Sequence, residues 1–180
     1  MSVKLKNKAG FTVAELIIVS AIFMLMATVM IANFRRGEHV SQLLLATEEV
    51  TGQIRKMQTE SLTGQTEGEI IASGGFGLYF NLAQPQSYLL FRDDGTNIYE
   101  PANDTLLETA TIPQNVSLTD LSTNPLTIVF NPPKPTVFIN GNPGGAAVEI
   151  YLLSVKISDR EGRVTLNPLS GRITAELINQ

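Results

Sequence analysis

Glu15 is the one acidic residue at the start of a long apolar run, and its position calls for a chemical reason. From Leu16 to Phe34 the sequence contains no charged residue. A carboxylate just inside a membrane costs about a few kcal/mol unless it is paired. Glu15 therefore either has a cationic partner near the same depth or is an interfacial residue whose side chain reaches water.

The chain contains few other groups that could do chemistry. His39 is the only histidine, and we interpret it as a solvated helix residue. The absence of cysteine excludes disulfides, thiolate metal sites and cysteine nucleophiles. There is no G-x-S-x-G motif, and the glycine-rich "GGFG" and "NPGGA" lack the Lys-Ser/Thr pair of a phosphate loop. We expect a protein that is not an enzyme and that carries no cofactor.

One cluster of acidic and amide residues is a candidate metal site. Carboxylate and amide oxygens suffice to hold Ca²⁺, but these residues lack the spacing of a calcium loop. A solvated hairpin turn accounts for them better, and we predict no metal here. The cluster consists of Asp93, Asp94, Asn97, Glu100 and Asp104.

Three arginines near the C-terminus are candidates for binding phosphates. Predicted turns at "DREG" and "NPLSG" would bring together the strands that carry Arg160, Arg163 and Arg172. Asp159, Glu161 and Glu176 lie alongside, and the net charge of -4 opposes a polyanion. DNA binding is therefore an alternative function, and we expect it to be weak or absent.

The apolar run predicts how the chain meets a membrane. Residues 11–34 exceed the length of about 20 residues that a helix needs to cross the hydrocarbon, so we predict a transmembrane helix there. Lys4, Lys6 and Lys8 precede the run, which favours a cytoplasmic N-terminus and a C-terminal domain outside. Arg35 and Arg36 follow the run and weaken that bias.

After the membrane run, residues 35–63 show the periodicity of an amphipathic helix. Apolar positions recur at spacings of three and four, which is typical of a helix with one buried face. Gly37 and Gly52 interrupt the pattern, and Gly64 and Gly68 predict its end. The predicted buried stripe is Val40, Leu43, Leu44, Thr47, Val50, Thr51, Ile54 and Met57.

Residues 64–180 predict a β domain. Short segments rich in β-branched and aromatic residues alternate with Gly, Pro, Asn and Asp turns. The fold class is therefore α+β, with a long N-terminal helix packed against a C-terminal antiparallel β domain. The predicted strands are "EIIAS", "GFGLYF", "SYLLFR", "NVSLTDL", "LTIVF", "TVFIN", "AVEIYLLSVKI", "RVTLN" and "GRITAELI".

The stretch "KAGFTVAELIIVSAIFMLM" resembles the N-terminus of type IV pilins and of the pseudopilins of type II secretion. That family has a short basic leader, Gly before the cleaved bond, usually Phe after it, and Glu four residues further on. Gly10, Phe11, Thr12 and Glu15 match this pattern. Ala32-Asn33 departs from it, because pilins often have Pro there. The order of "GFGLYF", "LTIVF" and "LNPLSGRI" is similar to the GspH/FimT-like group of minor pilins and pseudopilins.

The resemblance implies how the N-terminus is processed and what Glu15 does. Residues 1–10 would be a leader peptide that a prepilin peptidase removes between Gly10 and Phe11, with N-methylation of Phe11. The new amine would then be a partner for Glu15 of a neighbouring subunit, since four helical residues span only about 6 Å. Such a pair in low dielectric would favour one register of docking.

The resemblance also implies a function and a location. The chain would be a minor pilin or pseudopilin that assembles into, or primes, an inner-membrane filament of a type II secretion or type IV pilus system. Its partners would be other subunits through the N-terminal helix, the prepilin peptidase, the inner-membrane assembly platform and lipid. It would be a single-pass inner-membrane protein that reaches the filament or cell surface when assembled. The alternative is a DNA-binding minor pilin for natural transformation.

Overall fold

The computed structural model describes residues 10, 12–63, 74–132 and 136–179. The predicted leader before Gly10, residue Phe11 and the predicted strand "EIIAS" lie outside this range. The chain divides into two compact units, Met1–Glu38 and His39–Gln180. A single helix, α1 (Val13–Thr63), contributes residues to both units.

The first unit contains the apolar part of α1. Every described residue before His39 is exposed, including the apolar side chains between Val13 and Phe34. Of the described helices, only α1 is long and apolar enough to cross a membrane. The hydroxyls of Ser20 and Thr28 donate to the carbonyls of Leu16 and Met24 at 2.8 Å, which satisfies their polar groups within the helix. The prediction of a membrane-compatible apolar helix is confirmed.

The second unit begins with the remainder of α1, which has one buried face. The prediction of the buried stripe is largely confirmed, but Leu44 is 42% exposed and Val40 only half-buried. Gly37 and Gly52 do not interrupt the helix, which is described as far as Thr63. Gly64 and Gly68, where its end was predicted, lie outside the described residues. The buried residues are Leu43, Ala46, Thr47, Val50, Thr51, Ile54, Met57 and Ser61.

Ten described strands form two antiparallel sheets. The six-stranded sheet has the order β3-β2-β1-β5-β6-β7, and the four-stranded sheet has the order β10-β9-β8-β4. This arrangement confirms the α+β class. The strands are β1 (Phe76–Phe80), β2 (Ser87–Arg92), β3 (Thr105–Thr111), β4 (Val116–Leu121), β5 (Leu126–Asn131), β6 (Thr136–Ile139), β7 (Asn142–Pro143), β8 (Val148–Ser154), β9 (Ile157–Asn167) and β10 (Arg172–Asn179).

The core of the second unit lies where the buried face of α1 meets both sheets. Ile54 and Met57 of α1 belong to one apolar cluster with residues of the six-stranded and the four-stranded sheet. The Ser61 hydroxyl donates to the carbonyl of Phe130 on β5 at 2.7 Å. On the other side, Gln58 Nε2 donates to the carbonyl of Gly171, at the turn between β9 and β10, at 3.2 Å. The second part of α1 is therefore fixed to both sheets.

Two sequence predictions about strands are wrong. The segment "AVEIYLLSVKI" is not one strand, because Val155 and Lys156 form the turn between β8 and β9. "DREG" is not a hairpin turn, because β9 runs through it. The register there passes from Ser154↔Ile157 to Leu153↔Glu161, so residues 158–160 form a bulge in β9. In addition, β3 has no counterpart among the predicted strands; its sequence TLLETAT has five consecutive exposed residues and no clean alternation.

Candidate functional site

Glu15 closes the N-terminus of α1 by a reciprocal pair of hydrogen bonds with Thr12. The amide of Thr12 donates to Glu15 Oε2 at 2.8 Å, and the amide of Glu15 donates to Thr12 Oγ1 at 3.2 Å. The Thr12 hydroxyl also donates to Oε2 at 2.9 Å. Because α1 begins at Val13, Thr12 is the N-cap and Glu15 is the third helical residue, which is the arrangement of a capping box.

The cap accounts for part of the chemistry of Glu15. Two amide donors that the helix leaves without partners are satisfied, and a negative charge lies at the positive end of the helix dipole. Sequence reasoning missed this role, although Thr-x-x-Glu before an apolar run is its usual signal. Both bonds to the carboxylate use Oε2; within the described part of the chain, Oε1 accepts no hydrogen bond and Glu15 has no ion pair. No described residue therefore competes with an external cation for Oε1.

Gly10 lies just before this cap. It is exposed, and a Cβ built on it would meet no atom within 4 Å. Space is therefore open on the side of the backbone where a side chain at residue 10 would lie. Phe11, the other predicted processing and assembly residue, lies outside the described residues, so cleavage and N-methylation remain predictions.

Arg163, one of the three candidate phosphate-binding arginines, is engaged with carboxylates. Its Nε donates to Glu176 Oε1 at 2.9 Å, and its Nη2 bonds to the same oxygen. Its Nη1 lies 3.5 Å from Glu149 Oε1. The bond to Glu176 raises the pKa of the Arg163 guanidinium further. Phosphate binding at Arg163 would have to displace two carboxylates.

Arg160 and Arg172 do not join Arg163 in one cluster. In the pairing of β9 with β10, Arg160 lies opposite Asn179 and Arg172 lies opposite Asn167. Arg172 and Asn179 are the two ends of β10, seven residues apart, which corresponds to about 23 Å along a strand. The predicted turn at "NPLSG" is present, with Gly171 at a φ of 66°, but the hairpin separates these two arginines instead of bringing them together.

The acidic loop after β2 brings three carboxylates together. Oxygens of Asp93, Asp94 and Asp104 lie within 4.8 Å of one another. Asp93 is 2% exposed and accepts the amides of Gly95 and Asn97 at 2.9 Å. Burial raises the pKa of its carboxyl group, which these bonds oppose.

Asp104, another carboxylate of this loop, also accepts hydrogen bonds from backbone amides. It accepts the amides of Asp94 at 3.0 Å and Glu100 at 2.7 Å. Asp93 and Asp104 therefore act as the acceptors that order the loop. The prediction of a solvated turn is wrong for Asp93, which is buried. Asn97, at a φ of 62°, contributes a left-handed residue to it.

His39 differs in part from its interpretation as a solvated residue. It is half-buried, and its Nδ1 is inaccessible and lacks a partner among the described residues.

The structure also contains a groove of about 240 Å³ between α1 and strands β1 to β3, which was not predicted from the sequence. Its ionisable lining groups are Lys56, Glu60 and Arg92, over an apolar floor that includes Met57 and Leu90.

Comparisons with protein-family models, with curated proteins and with solved structures found no match to this chain.

Proposed function

We propose that this protein is a filament subunit of the type IV pilin and pseudopilin class, most similar to the GspH/FimT-like minor subunits. The observation that carries the proposal is the Thr12–Glu15 cap at the start of the exposed apolar part of α1, which runs from Val13 to Phe34. This part of the helix needs an apolar environment, and lipid or the helices of neighbouring subunits would provide it.

The cap and the exposed helix together suggest how subunits would associate. Oε1 of Glu15 has no partner within the described residues, and its low-dielectric surroundings would make an unpaired charge costly. The N-terminal amine that cleavage creates at Phe11 of a neighbouring subunit would be the matching cation. Subunits would then dock through their apolar helices, with the Glu15–amine pair selecting the register.

The architecture of the second unit fits an extracytoplasmic subunit. A helical stem with one buried face, packed against two antiparallel sheets, leaves the remaining faces of the stem free for contacts with other subunits. In this proposal the membrane is the inner membrane, with the N-terminus in the cytoplasm. Arg163, one of the three candidate phosphate-binding arginines, is bound by carboxylates, which supports assembly over DNA capture as the leading proposal.

The proposal is tested by producing the full chain in a bacterium that has a prepilin peptidase and the rest of a filament machine. Mass spectrometry of the membrane fraction should find a chain that starts at N-methyl-Phe11. The chain should also be recovered with sheared or detergent-extracted filaments. A chain that keeps residues 1–10 in the presence of an active peptidase would contradict the proposal.

A further inference from the structure

One end of the second unit, which we call the basal face, consists of residues 84–86, 112–115 and 155–156. Hydrogen bonds hold these loops together and attach them to the start of α1 in this unit. Asn115 Nδ2 donates to Gln42 Oε1 at 3.3 Å, and the amide of Val155 donates to the carbonyl of Asn115 at 2.9 Å. Gln86 Nε2 donates to the carbonyl of Gln114 at 3.3 Å.

The charge of the basal face differs from that of the rest of the unit. Since Glu15 and Glu38 are the only acidic residues before His39, 15 of the chain's 17 carboxylates belong to the second unit. None of them lies on the basal face, whose single charged residue is Lys156. The adjoining bulge of β9 carries Asp159 and Arg160, whose charges are opposite.

The basal face also exposes an apolar side chain. Val155 is 70% exposed at the tip of the turn between β8 and β9, and Lys156 beside it is exposed as well. Pro113 and Gln114 on the neighbouring loop are exposed and uncharged. An apolar tip beside a lysine, without nearby carboxylates on the same face, is the chemistry that suits the surface of an anionic bilayer.

The covalent connection limits the distance between this face and the apolar run. Gln42, to which the basal loops are attached, is only eight residues after Phe34, the end of the apolar run. Eight residues span at most about 28 Å even when fully extended. Gln42 therefore lies within about 28 Å of Phe34, the residue at which the proposed membrane span ends.

We infer that the basal face docks onto the surface of the bilayer in the unassembled subunit, with Val155 entering the headgroup region and Lys156 binding anionic lipid headgroups. This inference rests on the membrane anchoring in the proposed function and extends it to the β domain. The docked state would be a resting position of the subunit before assembly, because incorporation into a filament would carry the basal face away from lipid.

The test places a fluorescent label on the basal face of the full chain. The chain has no cysteine, so Gln114→Cys gives one labelling site and leaves Val155 and Lys156 intact. Leu169→Cys gives the matched distant site: it is 81% exposed, at the turn whose Gly171 contacts Gln58. Gln58 is sixteen residues beyond Gln42 on α1, about 24 Å along the helix.

The labelled chain is placed as a single copy in nanodiscs of phosphatidylcholine, with or without phosphatidylglycerol, that contain a headgroup-attached quencher. We expect several-fold stronger quenching at residue 114 than at residue 169. The attraction of one lysine to an anionic surface increases the docked population roughly fivefold. Phosphatidylglycerol should therefore increase quenching at residue 114 only. Val155→Ser combined with Lys156→Glu should reduce it to the level at residue 169. Leu169→Ser should leave quenching at residue 114 unchanged.

Equal quenching at both sites, or quenching that the double variant does not change, would overturn the inference and leave the anchoring untouched. A chain that nanodiscs fail to retain would instead overturn the anchoring itself, and the docked state with it. Both substituted side chains are exposed, so a thermal unfolding midpoint equal to that of wild type establishes that the double variant is folded.

Discussion

Gly162 on β9 faces Thr47 on α1 so closely that a Cβ at residue 162 would lie 2.1 Å from Thr47 Oγ1. The hydroxyl of Thr47 is itself held, because it donates to the carbonyl of Leu43 at 2.8 Å. A side chain at this position would therefore push the four-stranded sheet away from the helix. The absence of a side chain at residue 162 is what allows the two elements to pack.

Replacing Gly162 by Ala should destabilise the second unit by about 1–3 kcal/mol, because it overpacks the contact between helix and sheet. Gly52→Ala is the matched control: nothing lies within 4 Å of its Cβ position, so the change should stabilise the helix by about 1 kcal/mol. Denaturant unfolding of a soluble fragment from Gly37 to Gln180 measures both. Equal effects of the two substitutions would contradict the role of Gly162.

Replacing Gly10 by Asp should block removal of residues 1–10 while leaving membrane insertion intact. If a prepilin peptidase cleaves after Gly10, its catalytic groups must reach the backbone there, and a side chain at residue 10 would obstruct them. Gly37→Asp, at a glycine that is equally open, should be processed normally. Mass spectrometry of the membrane fraction distinguishes the two forms. Full processing of the Gly10→Asp chain would show that cleavage occurs elsewhere.

Three substitutions distinguish the capping role of Glu15 from its proposed role in an ion pair. Glu15→Gln keeps an oxygen that can accept the amide of Thr12 but has no charge. Glu15→Val removes both and should insert into the membrane at least as well as wild type. Thr12→Ala removes the hydroxyl of the cap, at about 1 kcal/mol, and keeps the charge.

If Glu15 pairs with an amine of a neighbouring subunit, Glu15→Gln should impair filament incorporation as severely as Glu15→Val. Breaking one side of such a pair costs about 3–5 kcal/mol, so cross-linking between cysteines placed on adjacent stems should fall more than tenfold. Thr12→Ala should have a much smaller effect. Normal cross-linking of Glu15→Gln, with a loss for Thr12→Ala, would assign Glu15 to capping alone.

The soluble fragment should bind double-stranded DNA weakly or not at all at physiological salt. Arg163 is bound to Glu176 and Glu149, and Arg160 and Arg172 lie at opposite ends of one hairpin. Fluorescence anisotropy with labelled DNA measures the affinity. Micromolar binding that disappears in Arg163→Ala plus Arg172→Ala would make DNA capture the leading function.

Asp93 should contribute a pH-dependent part of the stability that is larger at low pH. Burial raises the pKa of its carboxyl group in the folded state, so the folded protein binds this proton more tightly than the unfolded chain does. The stabilisation is complete below the unfolded pKa of about 3.9 and is lost as pH rises through the raised folded value.

The measurement compares the free energy of unfolding of wild type and Asp93→Asn across this pH range. The stability of wild type relative to the variant should decrease as pH rises. Asp120→Asn is the control, on an exposed residue of β4 that is not among the charges acting on Asp93. A relative stability that increases with pH would mean that the bonds from Gly95 and Asn97 outweigh burial.

The features that sequence alone determined are those that depend on neighbouring residues. The uncharged run from Leu16 to Phe34 and the spacing of Leu43, Val50, Ile54 and Met57 depend only on local order, so the apolar part and the buried face of α1 were predictable. The α+β class followed from the change in periodicity after the stem.

Only the tertiary structure decided which distant residues meet. The register of β9 against β8 and β10 makes "DREG" part of a strand, pairs Arg163 with Glu176 and separates Arg160 from Arg172. Leu44 fits the helical stripe but lies at its edge, where neither sheet covers it. The sequence places Gly162 in a predicted turn. In the structure, it allows β9 to approach Thr47, which lies more than a hundred residues earlier in the chain. Strand register and helix–sheet approach arise from packing across the whole core, and no local pattern encodes them.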